Sequence, residues 1–146
     1  MDIRRLLHSL HRDTRGAMVV EFALLAPAFL VMVFGVLYVG MGLQNYNAIR
    51  NLSADVARYA MVQQQAGNTL SNTQIRSYAI ARARGAPYLL NANNMGAFVT
   101  TPETQRVAGA RELEVVITYE VDNMLEFAGI PAPFLTFTRP IFLSAT

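Results

Sequence analysis

The sequence contains no cysteine, and its two histidines, His8 and His11, lie near the N-terminus. The absence of cysteine excludes disulfide bonds, thiolate catalysis and cysteine metal sites. The position of the histidines excludes a histidine-based catalytic triad or zinc site in the rest of the chain. No glycine-rich phosphate loop follows a predicted strand. We therefore expect neither a cofactor nor a bound metal.

Charge is also scarce in this chain of 146 residues. Charged residues make up 15% of it and hydrophobic residues 53%, whereas a typical soluble domain has about 25% charged residues. This balance is the opposite of that in a disordered chain. The net charge is only +2 and every basic residue is arginine, so the field is too weak to indicate nucleic-acid binding. The shortage of charge instead indicates a membrane segment.

The hydrophobic residues are concentrated in one run. Phe22 to Leu43 contains no charge over 22 positions, and a helix of that length spans about 33 Å, enough for the hydrocarbon core of a bilayer. We therefore predict a transmembrane helix over 17–43. A buried core helix is the weaker alternative, because it would need a polar face. A signal peptide is also disfavoured, because its apolar region is only about 7–15 residues long.

Arginine is distributed unevenly about this run. Four arginines precede it within residues 1–16, and only Arg50 and Arg58 follow closely. The positive-inside rule therefore predicts that the N-terminus stays in the cytoplasm. The resulting topology is a basic cytoplasmic leader over 1–16, a single membrane span, and an extracytoplasmic domain over 44–146.

A short motif joins the leader to the span. Arg15 and Gly16 are followed by four small or apolar residues and then by Glu21 and Phe22, and Pro27 lies further along the run. A lone carboxylate in an apolar helix usually has a function or a partner, because it costs on the order of 3 kcal/mol at the bilayer centre. Near the headgroups, however, such a carboxylate can simply be solvated.

This motif resembles the processing site of type IV prepilins and, more narrowly, that of the TadE-like pseudopilins of the tight-adherence (Flp) pilus. The resemblance implies that a prepilin peptidase cleaves between Gly16 and Ala17, and that Glu21, Phe22 and Pro27 serve processing and assembly. It also implies a location in the bacterial inner (cytoplasmic) membrane. The implied partners are the membrane, the peptidase, other pilins or pseudopilins and the assembly platform, with no nucleic acid and no small-molecule substrate.

Cleavage would change the charge around Glu21. It frees the α-amine of Ala17, a cation with a pKa of about 8, one helical turn from the Glu21 carboxylate. Because compensating a charge in a low-dielectric medium is strongly favourable, this carboxylate would set the register of packed helices. Cleavage also removes four arginines and two aspartates, which makes extraction from the membrane less costly.

Beyond the span, the sequence predicts two helices. Apolar residues at three- and four-residue spacing continue the first helix out of the span: Ile49, Leu52, Val56 and Tyr59. Asp55 and Arg58 are spaced for an ion pair on its other side. A glutamine-rich loop ends this helix. Ser71 and Gln74 predict a capping box that opens a second helix, which Gly85 helps to stop.

The C-terminal part has strand character. We predict strands over 97–101, over 113–121, where apolar and polar residues alternate, and over 134–145, where Pro140 restricts the strand to an edge or a bulge. A three-stranded antiparallel meander packed on the emergent helix is the economical arrangement, an α+β fold similar to a pilin lollipop. The connection over 122–133 is unusually apolar, so it either folds back onto the core or faces a partner. We expect it to fold onto the core, because so small a domain needs every apolar side chain it has.

We interpret the chain as a structural protein and not as an enzyme. Three carboxylates could be posed as catalytic pairs but fit a solvated strand face better: Glu112, Glu114 and Glu120. The favoured function is that of a pseudopilin or minor pilin-like component of tight-adherence pilus assembly, and hence of cell adhesion. The alternative is an uncleaved, anchored extracytoplasmic binding or interaction domain with no pilus role. An anchored hydrolase is a third and weaker hypothesis.

Overall fold

The computed structural model describes residues 14–144 and forms two compact units, one ending at Leu37 and the other beginning at Tyr38. Most of the predicted leader (1–13) and residues 145–146 lie outside the described residues. The elements are, in order, helices α1 (Thr14–Gln65) and α2 (Asn72–Arg84) and strands β1 (Met95–Thr100), β2 (Ala110–Glu120) and β3 (Phe134–Ser144), with 3₁₀ turns at Ala92–Asn94 and Glu126–Ala128. The predicted α+β class is confirmed.

Helix α1 is one continuous element of 52 residues. It contains the whole apolar run and continues beyond it, which confirms the predicted emergent helix. Pro27 lies inside the helix without ending it, although proline removes one backbone hydrogen bond and deprives the carbonyl of Ala23 of its usual donor. The helix ends in the glutamine-rich segment, and the φ of 83° at Gly67 reverses the chain in a conformation that favours glycine.

Helix α2 begins at the predicted capping box. The Ser71 hydroxyl accepts a hydrogen bond from the backbone N–H of Gln74 (3.2 Å), and the Gln74 side chain accepts one from the backbone N–H of Ser71 (2.8 Å). This reciprocal pair satisfies donors that the first helical turn leaves without partners. Gly85 follows the last residue of α2 in an extended conformation, so the predicted end of the helix is also confirmed.

The three strands form the predicted antiparallel meander, in the order β1-β2-β3. The central strand β2 buries every second side chain on one face: Leu113, Val115, Ile117 and Tyr119. The alternation of apolar and polar residues in the sequence of β2 therefore corresponds to the buried and the less buried face of the sheet. Strand β3 lies at an edge, which is where a sheet can contain Pro140, because that residue has no N–H to donate to a neighbouring strand.

Helix α1 packs along β3, and the two run in the same direction. At one end of the contact the rings of Tyr46 and Phe137 meet edge to face, with centroids 6.0 Å apart. At the other end the Gln64 side chain donates a hydrogen bond to the carbonyl of Ser144 (3.1 Å). The predicted apolar face of α1 supplies the core between them, with Ile49, Leu52 and Val56 fully buried and Tyr59 half-buried.

Asp55 joins α1 to α2 and to the chain that follows α2. Its carboxylate lies 3.6 Å from the guanidinium of Arg82 and accepts a hydrogen bond from the Tyr88 hydroxyl (2.8 Å). Burial and this hydrogen bond raise the pKa of Tyr88 to about 12. The expected pairing of Asp55 with Arg58 is therefore wrong, because α2 packs against this part of α1 and brings Arg82 closer.

The connection between β2 and β3 departs from the prediction that it folds onto the core. Leu125 is buried at 3% exposure, but Met124 is 40% exposed, Phe127 66% and Ile130 38%. The connection turns through the 3₁₀ segment and through Gly129, whose φ is 70°. That turn directs one apolar side chain inward and leaves the other three at the surface.

Candidate functional site

All the residues of the predicted processing and assembly motif lie on helix α1. Gly16 is the third residue of the helix, followed directly by Ala17, and Glu21 and Phe22 lie one turn further along. Residues four apart share one helix face with an axial separation of about 6 Å. The fold therefore brings the backbone nitrogen of Ala17 and the Glu21 side chain to the same side of α1.

The fold of the chain does not explain the glycine at position 16. A Cβ atom added to Gly16 would meet nothing within 4 Å, and its φ is not positive. Glycine inside a helix is destabilising by roughly 0.5–1 kcal/mol relative to alanine. The same open surroundings apply to Gly35, Gly40 and Gly42 in the apolar run. Among the residues that the structure describes, no packing contact requires glycine at these four positions.

The N-terminal part of α1 exposes apolar side chains on all sides. Phe22 is 73% exposed and Leu24 74%. The helix is long and apolar enough to cross a membrane, and only 6% of its most apolar window is buried within the structure. Glu21 is exposed within this surface, and neither of the ion pairs formed among the side chains of residues 16–144 involves it.

An apolar groove runs along one side of this helix between Phe22 and Leu30. It is lined only by apolar side chains at helical spacing: Phe22, Leu25, Ala26, Phe29 and Leu30. Ala26 is the small residue among larger neighbours, and small residues let a second helix approach closely in a membrane. Glu21 precedes the groove by one residue, or about 100° around the helix, so it flanks the groove. The sequence motif predicted Phe22 here but not the groove.

Among the side chains of residues 16–144, one carboxylate is fully buried, and the sequence interpretation missed it. Glu112 is 0% exposed, whereas it was expected on a solvated strand face with Glu114 and Glu120. It forms an ion pair with Arg106 and accepts a hydrogen bond from the Arg106 backbone N–H (2.9 Å). The Arg106 guanidinium also lies over the ring of Phe142, 5.6 Å from its centroid. This cluster holds the β1–β2 connection against the sheet.

The Glu112 cluster is a structural clamp and not a catalytic pair. The carboxylate is already satisfied by Arg106, whose hydrogen bonds lower the pKa of Glu112 below its usual value. Within residues 14–144, no group of three or more histidine, aspartate or glutamate side chains is placed to hold a metal ion. The only sequence signal for the clamp was an arginine and a glutamate on either side of the turn at Gly109, which is a common pattern.

Acid is expected to weaken this clamp. Because the folded-state pKa of Glu112 is lowered, its stabilisation is complete above the ordinary carboxyl pKa of about 4.3 and is lost as pH falls through the folded-state value. We expect Glu112→Gln to lower the melting temperature at neutral pH by several degrees. The melting temperature of this variant should also fall less than that of the wild type as the pH is lowered.

Circular dichroism of the full chain in detergent measures both effects. Glu120→Gln, at an exposed position of β2, is the matched control. Equal acid sensitivity of wild type and Glu112→Gln would contradict the clamp.

Comparison with known proteins bears on the helix that carries the motif. Residues 16–58 match the family model of TadE-like proteins. The match begins at Gly16 and ends within α1, and it confirms the resemblance found in the sequence. The motif, the apolar run and most of the emergent helix thus have TadE-like character, whereas α2 and the sheet lie outside the match. No curated protein and no solved structure matches the chain.

Proposed function

We propose that this chain is a membrane-anchored pseudopilin or minor pilin-like structural component of the tight-adherence (Flp) pilus. The observation that carries the proposal is the TadE-like match over residues 16–58, which coincides with the exposed apolar part of α1 and begins at the proposed cleavage site. TadE-like proteins are a structural family associated with this pilus, so the same match supports a non-enzymatic role.

Membrane anchoring is the first part of the proposed function. The exposed N-terminal part of α1 has the length and composition of a single span, and the bilayer would cover side chains that the chain itself leaves open. The four arginines within residues 1–16 would hold the N-terminus in the cytoplasm, and the folded domain would lie outside the inner membrane.

Processing after Gly16 is the second part. The bond from Gly16 to Ala17 lies in the first turn of α1, where backbone N–H groups have no partners within the helix and the turn frays most easily. An absent side chain at Gly16 lets a protease cleft approach the backbone. A Cβ atom at Gly16 would meet nothing within 4 Å in the fold. This observation supports the idea that glycine is needed at this position for recognition by a prepilin peptidase.

Assembly with other helices is the third part. The apolar groove between Phe22 and Leu30 offers a surface to a neighbouring pilin or pseudopilin helix, and Glu21 on its flank would pair with the α-amine of Ala17 or of a neighbour. Both features lie in the segment with TadE-like character. The alternative of an uncleaved binding domain gives no role to Gly16 or Glu21, and this difference decides the experiment.

The N-terminus of the protein tests the proposal directly. In cells that contain an active prepilin peptidase, we expect the membrane-extracted chain to begin at Ala17. In the same cells without the peptidase, it should begin at Met1, so the two samples differ only in processing. Terminal sequencing or intact mass measures this. An intact Met1 terminus in the presence of active peptidase would favour the uncleaved anchored domain.

A further inference from the structure

The connection between β2 and β3 carries a surface that the proposed function does not use. Met124, Phe127 and Ile130, here called the apolar tip, are large apolar side chains with 40%, 66% and 38% of their surface exposed. Phe134, which begins β3 directly after this connection, is 65% exposed. A concentration of apolar side chains in one short connection of a small domain marks an interaction site.

The connection that presents the apolar tip is an ordered structure. Its two ends are joined by a hydrogen bond from the Val121 N–H to the Pro133 carbonyl (3.2 Å). Inside it, the Leu125 N–H donates to the Asn123 side chain (3.2 Å), and the Ile130 N–H donates back to the Leu125 carbonyl (3.3 Å). Leu125 itself is buried. The fold thus anchors the centre of the connection and leaves the tip residues partly exposed.

The apolar tip lies at the end of the second unit where α1 enters it. Tyr38, the first residue of that unit, is 7% exposed. Helix α1 and β3 run in the same direction, from the contact of Tyr46 with Phe137 to that of Gln64 with Ser144, so the start of β3 and the connection before it lie at the end of the unit where α1 enters. Glu120 and Asp122 mark the other side of this connection. Those two acids lie at the last residue of β2 and the start of the connection. Because the predicted span over 17–43 overlaps the second unit from Tyr38 onward, this end of the unit lies at the membrane boundary.

We propose that the apolar tip inserts into the outer leaflet of the bilayer that α1 crosses, at the boundary between headgroups and acyl chains. This inference rests on the membrane anchoring in the proposed function and does not depend on pilus assembly. Continuity with the span favours lipid as the occupant, since the bilayer is already at this end of the domain. Residues 122–133 contain two acids and no arginine, so insertion would be driven by apolar burial and not by attraction to anionic lipid.

Insertion would give the domain a second attachment to the membrane besides α1. Asp122 at the base of the connection accepts a hydrogen bond from the Asn94 side chain (2.7 Å), which ties its charge to the chain preceding β1 and away from the tip. An interfacial attachment of this kind fixes the domain against the bilayer surface, and release of the tip would accompany extraction of the protein from the membrane.

Fluorescence of single tryptophans tests this placement, because the chain contains no tryptophan of its own. Phe127→Trp and, separately, Ile130→Trp are made in the full chain and reconstituted into phosphatidylcholine vesicles. We expect blue-shifted emission that is quenched by lipids brominated near the headgroup and is protected from aqueous iodide. Phe142→Trp, 40% exposed at the opposite end of β3, is the matched control and should be quenched by iodide alone.

Two other results would overturn the placement of the apolar tip in the bilayer, and a third would overturn the membrane anchoring on which it rests. If iodide quenches the Phe127→Trp and Ile130→Trp variants as strongly as the Phe142→Trp control, the tip lies in water and the inference is overturned. Protection from both quenchers would mean that protein, such as a second copy, covers the tip, and would also overturn it. Phe29→Trp, in the apolar run, reports the span separately. Because Phe29 lies near the middle of the proposed span, its quencher is lipid brominated deep in the acyl chains. If that lipid does not quench it, the membrane anchoring fails and this inference fails with it.

Discussion

Replacing Gly16 with valine is expected to leave the leader on the chain. A β-branched side chain is stiff and crowds the backbone, so a peptidase cleft that requires close approach at Gly16 would no longer close on the bond to Ala17. The structure gives no competing reason for an effect, because a side chain at Gly16 meets nothing within 4 Å. The helix and the folded domain should therefore form as before, and the loss should be confined to processing.

The expected loss of processing is nearly complete, and it is measured as the ratio of full-length to mature protein in membranes that contain active peptidase. Gly40→Val is the matched control, since Gly40 lies in the same helix with equally open surroundings but far from the proposed bond. It should be processed normally. Normal cleavage of Gly16→Val, or equal loss in both variants, would contradict processing after Gly16. A retained leader also keeps four arginines in the cytoplasm, so the uncut protein should resist extraction from the membrane.

The parts of the fold that follow from local signals could be predicted from the sequence. The capping box at Ser71 and Gln74 places the start of α2, because its hydrogen bonds join residues three apart. The alternation along β2 predicts which side chains are buried, because a strand turns successive residues to opposite faces. Pro140 predicts an edge strand for the same local reason, since it lacks an N–H.

Features that depend on contacts between distant segments could not be predicted. Glu112 has the position of a solvated strand residue until the β1–β2 connection places Arg106 over it. Asp55 has a possible partner in Arg58, three residues further along the chain, but the packing of α2 against α1 supplies Arg82 instead. The exposure of Phe127 depends on the turn at Gly129. In each case the residues are evident in the sequence, but the packing or path of a distant segment decides their surroundings.

The candidate site was the more predictable part of the molecule, because its residues lie on one helix. Once α1 is continuous from Thr14, the relative positions of Gly16, Ala17 and Glu21 follow from helix geometry alone. The groove between Phe22 and Leu30 required the structure, because it depends on which side chains around the helix are large and how they are directed. The Glu21 carboxylate is the best single probe of what covers this surface.

Replacing Glu21 with alanine or glutamine is expected to abolish or strongly reduce pilus production while leaving the protein in the membrane. Removing the charge lowers the cost of inserting the helix, so membrane levels should be unchanged or slightly higher. Cleavage should largely persist, because Gly16 and Ala17 are unchanged. Assembly should fail, because the α-amine of Ala17, or that of a neighbouring subunit, would lose its counter-charge. Breaking a buried pair by removing one partner costs about 3–5 kcal/mol, or roughly a hundredfold or more in association.

The two substitutions separate the role of charge from the role of shape at this position. Glutamine keeps the length and polarity of Glu21 but cannot neutralise an amine, so it should behave like alanine. Glu120→Gln, which removes an exposed carboxylate from the folded domain, is the matched control and should leave pilus production unchanged. Membrane level, cleavage and pilus production are measured side by side for each variant.

If both Glu21 variants make normal pili, Glu21 is a solvated residue at the membrane interface, and the anchored binding domain becomes the better account of the chain. If only the alanine variant fails, the side chain acts as a hydrogen-bonding group, and the proposed pairing with the Ala17 amine is wrong even though the pilus role stands.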